Sequence, residues 1–193
     1  MATNPKICRY LDIPLQHISD SVLSRMRRSV DSSRTRELIE RLRSEVPGVV
    51  LRTTMIVGHP GEGEKEFCEL LDFVRDSRFE RLGAFTYSEE EGTYGARHYA
   101  DEVSPEEKQR RLDALMETQR EISSGFNLSR VGSVEKVLVD DCVDGSLVCR
   151  SRYESPDVDG EIIVPSDGLF RKGQFAIVRI DSASDYDLSG SLL

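Results

Sequence analysis

The run of residues 49–57 is apolar apart from Arg52, Thr53 and Thr54, and it passes directly into Gly58-His-Pro-Gly61 and then the acidic Glu62. A strand with so little alternation is covered on both faces, the environment of a parallel strand between helices. Gly58 and Gly61 let the backbone approach a neighbour or a ligand more closely than a Cβ would allow, and Pro60 stiffens the turn between them. Loops of this kind, at the C-terminal ends of parallel strands, are where open α/β sheets and barrels hold ligands. Two glycines also suit a plain tight connection, so the surroundings decide between the readings.

Those surroundings alternate strand and helix. Arg9-Tyr-Leu-Asp-Ile-Pro-Leu15 reads as a short strand ended by Pro14. Ser19 or Asp20 suits the cap of a helix carrying Val22, Leu23 and Met26. Ser32 or Ser33 suits the cap of a second, with Leu38, Ile39, Leu42 and Val46 inward and Pro47-Gly48 as its stop. The buried strand follows, then a helix over 64–77 with Phe67, Leu70, Leu71 and Val74 on one face, and a strand over 81–87. This order implies parallel strands joined by helical crossovers. Three such strands make half a barrel and leave a bare edge beside the first, so the expectation is the C-terminal part of something larger.

Ser104-Pro-Glu-Glu107 joins a capping box to a proline at the first helical position. It predicts a linking helix over 104–127 with Leu112, Leu115, Met116, Ile122 and Phe126 inward. Beyond Ser129 the pattern becomes short alternating strands over 133–139, 146–152, 161–164 and 174–180, with Asp144-Gly145, Asp159-Gly160 and Asp167-Gly168 between or near them. Such a tail predicts a small closed or half-closed β-barrel, a binding module by architecture. The fold class is therefore α/β plus all-β, with an α/β part over 1–128 and a β-barrel over 129–193.

Composition narrows the function classes. No apolar run reaches the ~18 residues of a membrane span and no basic, apolar leader is present, so a cytoplasmic protein without a membrane segment is expected. Cys8, Cys68, Cys142 and Cys149 are scattered, with no CxxC or CxxxCxxC spacing, so no metal ligands are expected among them and reduced thiols are. Cys142 and Cys149 flank the predicted hairpin and could face each other across it. The net charge is −9, and residues 129–193 hold twelve Asp and Glu against seven Lys and Arg, a local balance of −5. Phosphate backbones are held by Lys and Arg, so an acidic tail suits a basic protein better than nucleic acid.

Three ordered segments carry a family resemblance. Tyr10-Leu-Asp-Ile-Pro-Leu-Gln-His17, Thr54-Met-Ile-Val-Gly-His-Pro-Gly-Glu62 and Phe85-Thr-Tyr-Ser-Glu-Glu-Glu-Gly-Thr93 resemble the fourth, fifth and sixth strand ends of radical S-adenosylmethionine (SAM) methylthiotransferases. The tail is similar to the TRAM domain that ends those enzymes. The likeness runs from Tyr10 to about Gly190. Within the family, Ser88-Glu-Glu-Glu-Gly-Thr93 and Arg152-Tyr-Glu-Ser-Pro-Asp-Val-Asp159 resemble the branch that modifies an aspartate of a small-subunit ribosomal protein. The tRNA-modifying branch usually has a basic residue in the first of these. The implied fold is the C-terminal half of a partial (β/α)6 radical SAM barrel followed by a TRAM β-barrel.

The resemblance also implies cofactors and a site. The family uses SAM and two [4Fe–4S] clusters, one held by a CxxxCxxC loop and one in an N-terminal domain; neither cysteine set occurs here. Carried over position by position, Gln16 corresponds to a contact with the ribose or methionyl part of SAM. Ile56 and Gly58 match the stretch beside adenine, Tyr87 and Ser88 fall where the sixth strand meets it, and Arg28 could fork the SAM carboxylate. His59 departs from the family's usual Phe and is read as a ring packing flat in the same place, and His17 as a loop hydrogen-bonder. The implied activity is transfer of a methylthio group to the β-carbon of an aspartate, with the acidic TRAM barrel gripping a basic ribosomal protein and Asp157, Asp159 and Asp185 steering it. Rival readings are a tRNA adenosine methylthiotransferase, which should show a basic tail, and a non-enzymatic module whose barrel recruits a partner.

Overall fold

A computed structural model describes residues 1–166 and 168–193. They form two compact units, Leu11–Gln119 in one and Met1–Tyr10 with Arg120–Leu193 in the other.

In the first, a parallel sheet in the order β1 (Tyr10–Asp12), β2 (Val50–Val57), β3 (Arg81–Thr86) is linked by α1 (Asp20–Arg25), α2 (Ser32–Glu45) and α3 (Glu64–Ser77). The register of β2 on β3 runs without a shift from Arg52 opposite Arg81 to Val57 opposite Thr86. The ladder of the first strand breaks after Ile13, whose amide donates to Arg52 O at 2.9 Å, because the Leu15 amide, next in the alternation, turns to the Thr53 hydroxyl at 3.4 Å. It resumes when the Gln16 amide donates to Thr54 O at 2.9 Å, in a parallel bridge to Met55. The core is β2's Val50, Leu51, Met55 and Val57 with Phe67, Leu70, Phe73 and Val74 of α3, all buried. Phe67, Leu70 and Val74 keep the expected helical face, while Phe73 is buried in place of the half-buried Leu71.

Local capping differs from expectation in two places. Asp31, not Ser32 or Ser33, caps α2: its carboxylate accepts from the Arg34 amide at 2.8 Å, while Ser32 is already helical. At the start of α5 (Pro105–Leu128) Ser104 Oγ accepts from the Glu107 amide at 3.2 Å. The Glu107 carboxylate does not close the box; it goes to Arg110 and Arg111. A short helix, α4 (Tyr94–His98), capped by Thr93, was not legible in the sequence.

The second unit is a closed barrel of β4 (Val134–Val143), β5 (Ser146–Arg150), β6 (Ile162–Pro165), β7 (Phe175–Ala183) and β8 (Leu188–Leu192), in the order β4-β5-β6-β8-β7. Val137, Val139, Leu147, Ile162, Val164, Val178 and Ile180 fill it from alternate positions. Asp144 and Gly145 both take positive φ, 49° and 76°, as a two-residue hairpin requires. The bulge between Val139 and Asp141 sets Cys149 opposite Val139 and Cys142 opposite Leu147, so the two thiols do not face each other; both are free. β8 escaped the sequence reading because Leu-Ser-Gly-Ser-Leu lacks β-branched residues. Gly190 is required there, since a Cβ would lie 2.6 Å from Arg179 O. Asp159 sits in the loop before β6 and not in a hairpin turn: its carboxylate accepts from the Ser155 amide at 2.7 Å and the Tyr10 hydroxyl at 2.6 Å. The expected turn at Asp167-Gly168 includes a residue outside those described.

The expected boundary at 128/129 falls at the end of α5, whereas the compact unit takes the helix in from Arg120. Arg120 pairs with Asp185 at 3.5 Å, the Asn127 side-chain amide donates to the carbonyls of Ser184 and Asp185, and the buried Arg130 guanidinium bonds Glu135, Glu154 and Ser151. Among the described residues no helix is long and apolar enough to cross a membrane.

Candidate functional site

Parallel strands joined by crossovers bring their C-terminal ends to one rim. On that rim Gln16, Ile56, Tyr87, Ser88 and Arg28 line one cleft of about 640 Å³, a size suited to a small molecule. The sixth residue singled out in the sequence, Gly58, is not among its walls.

Gln16 holds a left-handed backbone, φ 74°, at a cost of about 1–3 kcal/mol for a non-glycine residue. Two bonds over-determine it: its amide donates to Thr54 O and its carbonyl accepts from the Ile56 amide at 2.8 Å. On the opposite wall the Tyr87 amide donates to Val57 O at 2.8 Å, and its carbonyl accepts from Lys108 Nζ at 3.0 Å. Burial, with Glu89, Asp101 and Glu90 nearby, pushes the Tyr87 phenol up, so it stays protonated. Between them His59 is buried, and its Nδ1–H donates to Pro60 O at 3.0 Å. Its ring meets Tyr87 edge-on at 4.9 Å and 70°. Burial holds the imidazole below its ordinary range, so at neutral pH it is an uncharged aromatic wall. Arg28 donates to Pro14 O at 2.9 Å, and Arg27 lies over the Tyr94 ring at 4.4 Å.

Gly58 serves the fold from behind. With φ 74°, it would carry a Cβ only 2.3 Å from Lys108 Cγ, so its missing side chain is what lets Lys108 pass under the turn to Tyr87. Its amide is committed to Glu62 Oε1 at 3.0 Å. Glu62 was read only as an acidic helix start, yet its side chain is fully buried and accepts from Arg111 Nη1 at 2.9 Å. His17 Nδ1 accepts from the Ser19 amide, which leaves the ring proton on Nε2, 3.2 Å from Glu62 Oε2 and off the line of an ideal hydrogen bond. Burial would raise the Glu62 carboxyl, but His17, the Gly58 amide and Arg111 outweigh it and hold the group below its ordinary range. The missed signal was Lys108, Arg111, Leu115 and Gln119, spaced three and four apart on one buried face of α5.

The cleft thus offers an apolar and aromatic wall, the uncharged polar side chains of Gln16, Thr86, Ser88 and Thr93, the guanidinium groups of Arg25, Arg27 and Arg28, and the Glu90 carboxylate. That set fits a ligand with a flat heteroaromatic base at one end and a carboxylate at the other. An iron–sulfur cluster does not fit these residues. Cys8, Cys68 and Cys142 are each exposed, burial pushes the Cys149 thiol up to about 11, and among the described residues no three His, Cys, Asp or Glu group to hold a metal. On the barrel, a separate groove of about 520 Å³ is walled by Asp140, Asp141, Asp157, Glu161 and Asp187, with Arg150 and Lys172 among them. Of the three carboxylates expected to steer a partner, Asp157 is exposed; Asp159 is engaged by Tyr10 and Ser155, and Asp185 is paired with Arg120.

A family model described as the radical SAM superfamily matches residues 2–74, and one described as the TRAM domain matches residues 131–193. The chain is a radical SAM segment followed by a TRAM domain. Over all 193 residues it is 50% identical to ribosomal protein uS12 methylthiotransferase RimO of Parabacteroides distasonis, covering 45% of that protein. It is 50% identical over 97% of its length to the RimO of Porphyromonas gingivalis, covering 44%, and 46% identical over its whole length to that of Bacteroides thetaiotaomicron, again covering 44%. It is similar along its whole length to these methylthiotransferases, and it spans less than half the length of these curated relatives.

Proposed function

We propose that this chain is the part of a radical SAM methylthiotransferase that orients SAM and engages a basic ribosomal protein, whose aspartate receives a methylthio group on its β-carbon. The convergence of Gln16, Arg28, Ile56, Tyr87 and Ser88 on one cleft carries the reading. Ile56, His59 and Tyr87 flank the adenine and keep water from it. Gln16 hydrogen-bonds the ribose or methionyl part, the Ser88 hydroxyl bonds the base edge, and Arg28 faces the carboxylate. Bound SAM supplies the radical chemistry and the methyl group of the family's reaction, while these side chains supply position and desolvation. These 193 residues hold no CxxxCxxC loop, so the cluster ligands are not among them. The substrate choice is supported by the names of the relatives and by the balance of −5 over residues 129–193. It sets the work in the cytoplasm, where ribosomal proteins are found.

Titration of the chain with SAM, followed by tyrosine fluorescence, tests the cleft. Tyr87→Ala should weaken binding about tenfold, the ~1.4 kcal/mol of a lost aromatic contact; equal affinity of variant and parent refutes the assignment. The substrate choice is tested by titrating uS12 and bulk tRNA separately at low salt and near physiological salt. uS12 should bind more tightly and weaken with salt, since exposed charges are screened beyond ~8 Å. Tighter binding of tRNA would overturn the substrate and leave the cleft assignment standing.

A further inference from the structure

β3 is an edge of its sheet, and among the described residues no strand pairs with its outer side. The bond from the Tyr87 amide to Val57 O sets the parity of the ladder. In a parallel pair the residues bonding the neighbour alternate, so the main-chain groups of Arg81, Gly83, Phe85 and Tyr87 turn to β2, and those of Leu82, Ala84 and Thr86 turn outward. Proteins normally blunt such an edge with Lys, Pro, a bulge or a cover. Arg81-Leu-Gly-Ala-Phe-Thr86 has no Lys or Pro, its register has no bulge, and its one charge, on Arg81, is buried. Gly83 and Ala84 leave room for an approaching backbone, and Phe85 is 62% exposed.

The edge runs directly into Glu89, Glu90 and Glu91, all exposed, and its last residues, Phe85 and Thr86, line the cleft. A strand laid along β3 would therefore reach the mouth of the cleft with three carboxylates beside it, which selects a basic segment. We propose that a basic, extended segment of the protein substrate docks by adding as a strand to the outer edge of β3, bonding Leu82, Ala84 and Thr86 and packing on Phe85. This rests on the ribosomal-protein reading above and specifies how that partner is held.

The test is amide hydrogen exchange of the chain with and without uS12. The amides of Leu82, Ala84 and Thr86 should slow by about tenfold or more on addition, while those of Gly83 and Phe85, already bonded to β2, stay as they are. Ala84→Pro removes an outward-facing donor without touching the β2 ladder, and should weaken uS12 binding about tenfold, circular dichroism serving as the check that it folds. If uS12 binds while the three amides exchange at their free rates, the docking mode is wrong and the partner reading survives. If uS12 does not bind, both fall. Protection that appears without uS12 and rises with chain concentration would assign the edge to a second copy of the chain and overturn the proposal.

Discussion

Gly58→Ala separates a glycine kept for a ligand from one kept for a lysine. An alanine at φ 74° costs about 1–2 kcal/mol in backbone strain alone. The new methyl would also lie 2.3, 3.1 and 3.3 Å from Cγ, Cδ and Cβ of Lys108, the middle of that side chain and not its mobile end. Lys108 must leave its track, and its ammonium then gives up Tyr87 O and the Asp101 carboxylate, charge-assisted bonds worth about 1.5–3 kcal/mol. The sum is about 2.5–5 kcal/mol, a large share of a domain's ~5–15 kcal/mol. Urea denaturation of the parent, Gly58→Ala, Lys108→Ala and the double variant makes this a cycle. In the Lys108→Ala background the glycine substitution should cost only the ~1–2 kcal/mol of strain. Equal costs in both backgrounds would refute the explanation and return Gly58 to the cleft.

Asp31→Ala should destabilise α2 by about 1 kcal/mol, whereas Ser32→Ala and Ser33→Ala should each stay within about 0.5 kcal/mol; the reverse order in chemical denaturation would make a serine the cap. Glu62 lies below its unfolded value near 4.5, so the stability it contributes is complete above that pH and is lost as pH falls through the lower folded value. Glu62→Gln should accordingly flatten the acid side of a stability–pH profile, and an unchanged profile counts against the buried charge cluster. Arg130→Met leaves Glu135 and Glu154 without their shared cation in the barrel's buried wall and should cost about 3–5 kcal/mol by thermal melting. Arg130→Lys should recover little, because one ammonium cannot fork two carboxylates; full recovery would show that charge alone suffices.

Hydrophobic period made β2, α3 and four of the five barrel strands legible, because burial of one face is written directly into spacing. The cleft was legible for a related reason: strand ends in a parallel sheet share a rim, so Gln16, Ile56 and Ser88 had to meet once the strands were found. What did not show was anything that depends on partners distant in sequence. Asp159 and Tyr10 lie 149 residues apart, Glu62 and Arg111 49 apart, and each member alone looks like a solvated polar residue. The boundary near 128 was drawn where composition changes, but a helix end belongs to whatever it packs on, and Asn127 and Arg130 pack on the barrel.

These distant pairs give the motif Gly-His-Pro-Gly-Glu a different physical meaning from a ligand cradle. Arg111 and Lys108 leave the same buried face of α5 one turn apart. Arg111 meets Glu62, which meets His17 beside Gln16, and Lys108 passes Gly58 to reach the carbonyl of Tyr87. Both walls of the cleft are therefore referenced to one helix through buried charges, which are costly to displace singly because each leaves its partner unpaired. Loop residues held this way lose little further freedom when a ligand arrives, and that is how a site formed by three separate strand ends gains pre-organisation.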